Sequence, residues 1–342
     1  MSQSSQASLF IAGCIRAFHP VKKLKNALGQ ASLIASLCVP ALAFATYPDH
    51  PVKLVVPFAP AGAVDGIARL FSSDFGKNLG QTVIVDNRPG SGSTIGILSV
   101  IKAPPDGYTL LLGNIATASA PAMYPKSTIN LKLLQPITLI GRSAYVLVVK
   151  NDFPAQNVPE LVALLKANPG KFNYSSAGSG SAIHLAAELF KNKAGVDITH
   201  IPYKGAGPAM NALMAGDVEM MFGSVAELKS QIQAKRFRAI GVTTNTRSST
   251  LPDVPTMIEG GVKDYDVAGW YGVYAPANLP NDVLTKLRKA AELTLASDGI
   301  QQLLKRYAME PVQGGSKEAG DMLDAETKRW TEVITKANIY AD

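Results

Sequence analysis

Short apolar runs alternate along the chain with stretches whose apolar residues recur every three or four positions. Lys53–Pro57 reads as a buried strand, and the following helix puts Val64, Ile67, Phe71 and Phe75 on one face before Gly80 stops it. Thr82–Val85, a helix over Ile95–Lys102, the turn Pro104-Pro105-Asp106-Gly107 and a strand at Tyr108–Leu112 continue the series. This βαβαβ order predicts a parallel sheet covered on both faces. Tyr145–Lys150 is a further apolar strand, and a second alternating series then runs from Pro159 to Thr243. Strand Gly272–Ala275 precedes two C-terminal helices, one with Leu284, Leu287 and Ala291 inward, the other with Met322, Trp330 and Val333 inward. The pattern predicts an α/β protein of two lobes, residues 46–148 with 274–342 against 149–273, and a ligand cleft between them.

The first 45 residues break this pattern. They hold Arg16, Lys22, Lys23 and Lys25, no acid, an apolar run Ala31–Leu42 and a closing Ala43-Phe44-Ala45. That is the layout of a secretory signal peptide, and the run is too short for a membrane span of about 20 residues. Export to the periplasm, with a mature chain starting near Thr46, is the expectation. The chain has 342 residues and a formal charge of +7. Removing the leader takes four basic residues from the 33, against 26 acids, and leaves +3. So mild a charge gives no nucleic-acid footprint. Both cysteines, Cys14 and Cys38, leave with the leader.

Catalytic and metal motifs are sparse. The three remaining histidines, His50, His184 and His200, lack zinc spacing. No G-x-S-x-G elbow occurs, although Ser181 and His184 could meet on a helix as a hydrolase pair. Gly90, Gly92 and Gly96 miss the dinucleotide spacing. No cofactor and no metal are called for.

Three small-residue turns stand out, each between a strand and a helix: Pro60-Ala61-Gly62-Ala63 with Asp65, Ser175–Ser181, and Tyr203-Lys204-Gly205-Ala206-Gly207-Pro208. Each alone fits a tight capped turn. Together they predict a shared anion cleft, because helix starts present backbone N–H groups and positive potential. Asp65 fits a helix-dipole or capping group as well as a ligand contact. Tyr203, Phe222 and Trp270 are candidates for a flat apolar wall.

At these residues the chain resembles the Bug family, the extracytoplasmic receptors of tripartite tricarboxylate transporters. The resemblance is carried by Pro57–Asp65, Asp86–Gly90, Pro105–Leu110, Gly178–His184, Tyr203-Lys204-Gly205, Leu251–Thr256 and Trp270-Tyr271-Gly272. It implies a two-lobed periplasmic-binding-protein fold with two crossover segments, closing on a small organic carboxylate, whether di- or tricarboxylate or aromatic. Membrane permease subunits are the implied partners, and the receptor is expected to be a monomer. A ligand sensor serving a two-component kinase, or a secreted Ser/His hydrolase, are the other readings. By resemblance, the ligand contacts are Phe58, Pro60, Ala61, Gly62, Ala63 and Asp65. The facing contacts are Ser176, Gly178, Ser179, Gly180, Ser181, His184, Tyr203, Lys204 and Gly205. Asn114 and Thr117 match a further family loop. Two departures are notable. Ala61 replaces the family's first glycine, and Gly223-Ser224 stands where many members have an Asp followed by Asn, a position associated with amino groups, so a ligand without a free amino group is expected.

Overall fold

A computed structural model describes residues 47–312 and 314–340. The expected leader and its cleavage point lie outside these residues. Strand β1 (Val52–Val56) is apolar at four of its five positions and is covered on both faces. It pairs in parallel with β2 (Val83–Asn87) on one side and β3 (Thr109–Gly113) on the other. Helix α1 (Ala63–Leu79) connects β1 to β2 and buries Ile67, Phe71 and Phe75, the face its spacing predicts. Gly80 ends it with φ 81°, a left-handed cap that glycine adopts without a Cβ clash. Helix α2 (Thr94–Ile101) returns the chain to β3.

Helix α3 (Ile115–Met123) follows β3 at once. Asn114 and Thr117, expected in a loop, cap this helix instead: the Asn114 side chain accepts from the Ala116 amide and Thr117 Oγ1 accepts from the Asn114 amide. The strand expected over Tyr145–Lys150 is the second part of a longer one, β4 (Leu134–Lys150). Its first part, Leu134–Ala144, pairs antiparallel with β9 (Ala268–Pro276), which also pairs with β3. Its second part, Tyr145–Lys150, pairs antiparallel with β7 (Met220–Ser224) and β8 (Phe237–Val242). Parallel strands β5 (Asn173–Ser176) and β6 (Thr199–Pro202) extend the order from β7.

The chain therefore passes between two strand groups twice, within β4 at Ala144/Tyr145 and again between β8 and β9. Helices α4 (Val158–Ala167), α5 (Ala182–Ala194), α6 (Ala206–Ala215) and α7 (Val225–Gln233) belong to the second group. The C-terminal segment holds α8 (Asn281–Leu295), α9 (Asp298–Arg306), the short β10 (Met309–Glu310) and α10 (Ser316–Ala337). Helix α10 packs on α3, β4 and α5, so it bridges both groups. Its Glu326 carboxylate accepts from the indole N–H groups of Trp270 and Trp330, both fully buried. Burial is the main cause that raises the Glu326 carboxyl, and Arg329 opposes it.

Candidate functional site

Six helices open onto one cavity of about 650 Å³, each through its cap or its first turn. The lining residues at these starts are Ala63 of α1, Ser93 before α2, Asn114 and Ile115 of α3, Ser181 and Ala182 of α5, Ala206 of α6, and Ser224 and Ala226 of α7. The first turn of a helix has N–H groups without intrahelical partners. Each start also carries up to about half a positive charge. The wall is thus rich in donors and positive potential with few basic side chains.

The loop before α1 is built around Asp65. This carboxylate is 4% exposed. It accepts from the Ala61 amide at 3.0 Å, from Arg69 Nε at 2.9 Å and from Asn87 Nδ2 at 3.0 Å. Asn87 also donates to the Phe58 carbonyl. The Arg69 hydrogen bond, aided by the Ala61 amide and Asn87, holds the Asp65 carboxyl below the usual carboxylate range against the opposing effect of burial. Asp65 therefore buttresses the loop from behind and does not line the cavity. Ala61 sits at φ 68°, in the left-handed region that glycine adopts without a Cβ clash. The start of α1 has Gly62 as its cap, with no side chain to occupy the free amides. Of this loop, Phe58 and Ala63 line the cavity, while Pro60, Ala61 and Gly62 stand exposed beside it.

The loop before α5 is held by neutral groups. Ser181 Oγ caps α5 by accepting from the His184 amide, and His184 Nδ1 accepts from the Gly180 amide at 2.9 Å. His184 stacks on His200 with centroids 3.8 Å apart, and His200 Nε2 meets Ser176 Oγ at 2.6 Å. Burial, with His200 and Lys191 adding, lowers the His184 imidazole to about 3. Burial likewise lowers His200. His184 is thus a neutral acceptor locked to a backbone amide, and Ser181 is engaged as a cap. The hydrolase arrangement, with Ser181 presented to a ring nitrogen of His184, is not formed.

Of the expected contacts in this region, Ser179, Gly180 and Ser181 line the cavity, and Ser176, Gly178 and His184 stand behind them. Tyr203, Lys204 and Gly205 are also outside the lining, although Ala206, the next residue, is in it. Tyr203 supports the neighbouring loop through its amide, which donates to the Ser176 carbonyl. Asn114 and Ser224 line the cavity, whereas Thr117 is fully buried and Gly223 packs against Leu228.

Several lining residues were not legible in the sequence. Tyr124, Tyr145, Tyr271 and Tyr307 join Trp270 in the wall, while Phe222 is buried against Phe190 in the second group. Glu227 and Arg306 are the acidic and the basic residue of the lining. Glu227 carried one signal, its place three residues after the capping Ser224, which also explains it as an ordinary helix-start residue. The absence of an acid at Gly223-Ser224 therefore does not leave the cavity without a carboxylate.

A profile of the tripartite tricarboxylate transporter family receptors matches residues 67–339. Protein BugT of Bordetella pertussis is 31% identical over 292 residues, covering 84% of this chain and 90% of its own. The structure of the periplasmic binding protein BugD aligns with a TM-score of 0.72 and 35% identity, over 86% of this chain and all of that one. An R. palustris protein solved with adipate aligns with a TM-score of 0.74 and 32% identity, over 86% and 100%.

Proposed function

The chain belongs to the tripartite tricarboxylate transporter family of receptors, and we propose that it captures a small organic dicarboxylate in the periplasm. It is a solute-binding protein with the two-lobed periplasmic-binding-protein fold, as its structural relatives are, and not an enzyme. The observation that carries the ligand class is the convergence of six helix starts on one cavity. Such a wall solvates an anion with fixed dipoles and needs no lysine to do so. The adipate held by a relative of 32% identity supports a dicarboxylate in particular. The apolar stretch of the lining, with Val64, Ile67, Ile183 and Trp270, suits the methylene chain between two carboxylates.

In this reading the lobes divide at Ala144/Tyr145, where β4 changes partner, and before Ala268, where the chain returns to β9, both earlier than the expected 148/149 and 273/274. The cavity closes as they approach. The mature chain begins near Thr46, acts as a monomer and delivers its ligand to membrane permease subunits. Mass spectrometry of the ligand that co-purifies with the periplasmic protein tests the class. A dicarboxylate is expected, and its addition at a hundredfold excess over Kd adds about 2.7 kcal/mol of stability. A neutral sugar in its place would overturn the reading.

A further inference from the structure

We propose that the end of the cavity bounded by Arg306, Tyr271 and Glu227 is a second recognition point. There Arg306 pairs with the distal carboxylate of the ligand, and Glu227 accepts a hydrogen bond from a hydroxyl or ammonium group beside it. This deepens the carboxylate reading above and rests on it.

The cavity has two distinguishable ends. At one, the Tyr124 hydroxyl fills the space that a Cβ on Gly92 would need, and Met123 does the same for Gly180. That end lies among the helix starts of α2, α3 and α5. At the other, the Tyr307 hydroxyl stands over Gly66 in the second turn of α1, and the Arg306 guanidinium lies 5.8 Å from the Tyr307 ring centroid. Tyr271 and Glu227 line the same cavity. Burial pushes the Tyr271 hydroxyl up to about 12, and the charges of Glu227 and then Tyr307 add to the effect. Elsewhere in the wall, Ser143 Oγ and the Tyr145 hydroxyl meet over Gly269, 2.7 and 2.9 Å from where its Cβ would stand.

Arg306 and Glu227 line the cavity, and among the described residues neither makes an ion pair. An open cavity leaves both charges to water. A ligand that fills it removes that water, and a charge without a partner is then costly. An alkyl tail at this end would strand both groups. A carboxylate satisfies Arg306 through paired N–H···O bonds, and an adjacent hydroxyl or ammonium satisfies Glu227. The same charges thus reject a monocarboxylate with an apolar tail, which is selectivity by penalty as well as by attraction.

Calorimetric titration of the ligand-free protein with adipate, hexanoate and 2-aminoadipate tests this, with unfolding temperature as the control for folding. The unaltered protein is expected to bind adipate at least tenfold more tightly than hexanoate. Arg306→Gln should remove that preference from both sides, weakening adipate and tightening hexanoate, whose tail then strands one charge fewer. Glu227→Gln should weaken 2-aminoadipate about tenfold and tighten adipate, which offers the carboxylate no donor. Three results overturn the proposal: equal binding of adipate and hexanoate by the unaltered protein, equal losses for all ligands in either variant, or no change in either. Equal losses would assign the two charges to each other, as a pair formed on closure. Binding of none of these carboxylates, with a neutral solute bound instead, would sink the carboxylate reading itself.

Discussion

The loops that lead into α1 and α5 both deliver a helix start to the cavity, yet they are held by different chemistry. The Phe58–Ala63 loop hangs on a buried carboxylate with a cation behind it, and its helix start carries no side-chain cap. The Ser176–Ser181 loop hangs on a neutral imidazole stack, and a serine caps its helix. The difference separates two ways to keep a loop rigid beside an anion. A negative charge is tolerable behind the first loop because it faces away from the cavity and Arg69 offsets it. In the second loop neutrality keeps a positive imidazolium from competing with Lys191 nearby, and the serine hydroxyl can serve both helix and cavity.

Removing the ionic support should have the largest effect. Asp65→Ala leaves the Ala61 amide and Arg69 Nε without their acceptor and Asn87 with only the Phe58 carbonyl, and the expected loss is about 2–3 kcal/mol of stability with weaker ligand binding. Chemical denaturation and calorimetry read the two separately. Lost affinity with unchanged stability would mean that Asp65 touches the ligand and does not hold the loop.

Acid should separate the two loops next. A histidine whose folded pKa lies below its unfolded value stabilises the protein fully only above the unfolded value of about 6.5. As pH falls the unfolded chain takes the proton first, so stability is lost progressively towards the folded value of about 3. Between pH 7 and pH 5 the His184 contribution falls by about 2 kcal/mol, and His200 acts in the same direction. The Asp65 contribution is lost only below about pH 4, because its folded pKa is also depressed. A His184→Gln, His200→Gln double variant should flatten the melting temperature between pH 7 and pH 5. An undiminished slope there would place the acid sensitivity elsewhere.

The caps give the smallest effect. Ser181→Ala is expected to cost about 1 kcal/mol. Gly62→Ser should add a few tenths, because a serine supplies the acceptor that the start of α1 lacks. If the uncapped amides of α1 bind the ligand, the same Gly62→Ser change weakens affinity although it stabilises the fold. Parallel gains in stability and affinity would argue against that use of the amides.

Much of the architecture was readable because its strands are short, apolar and punctuated. β1, β3 and the face of α1 follow directly from periodicity. The first part of β4 was not readable, since Gln135, Pro136, Thr138, Gly141 and Arg142 interrupt its apolar run and its register with β9 shifts twice. Helix α3 escaped as well. It is buried on most sides, contains Pro121 and so shows no amphipathic stripe. For the cavity, sequence could point to turns, because small residues mark them locally. It could not show that Asp65 faces backwards, or that Arg306 at the end of α9 faces the same space as Glu227 in α7. Both charges remain exposed in the fold, and only their place in the cavity wall distinguishes them from solvated helix surface.

The sharing of β4 by both strand groups has a consequence for how the molecule comes apart. Neither half owns all of its backbone pairing, and α10 contributes packing to both. Cutting the chain between Ala144 and Tyr145 would leave each fragment with half a strand and an open edge. The two halves should accordingly lose their slowest-exchanging amides in one event, with those of β4 among the last to exchange. The strand that both groups share is therefore the one that makes them stand or fall together.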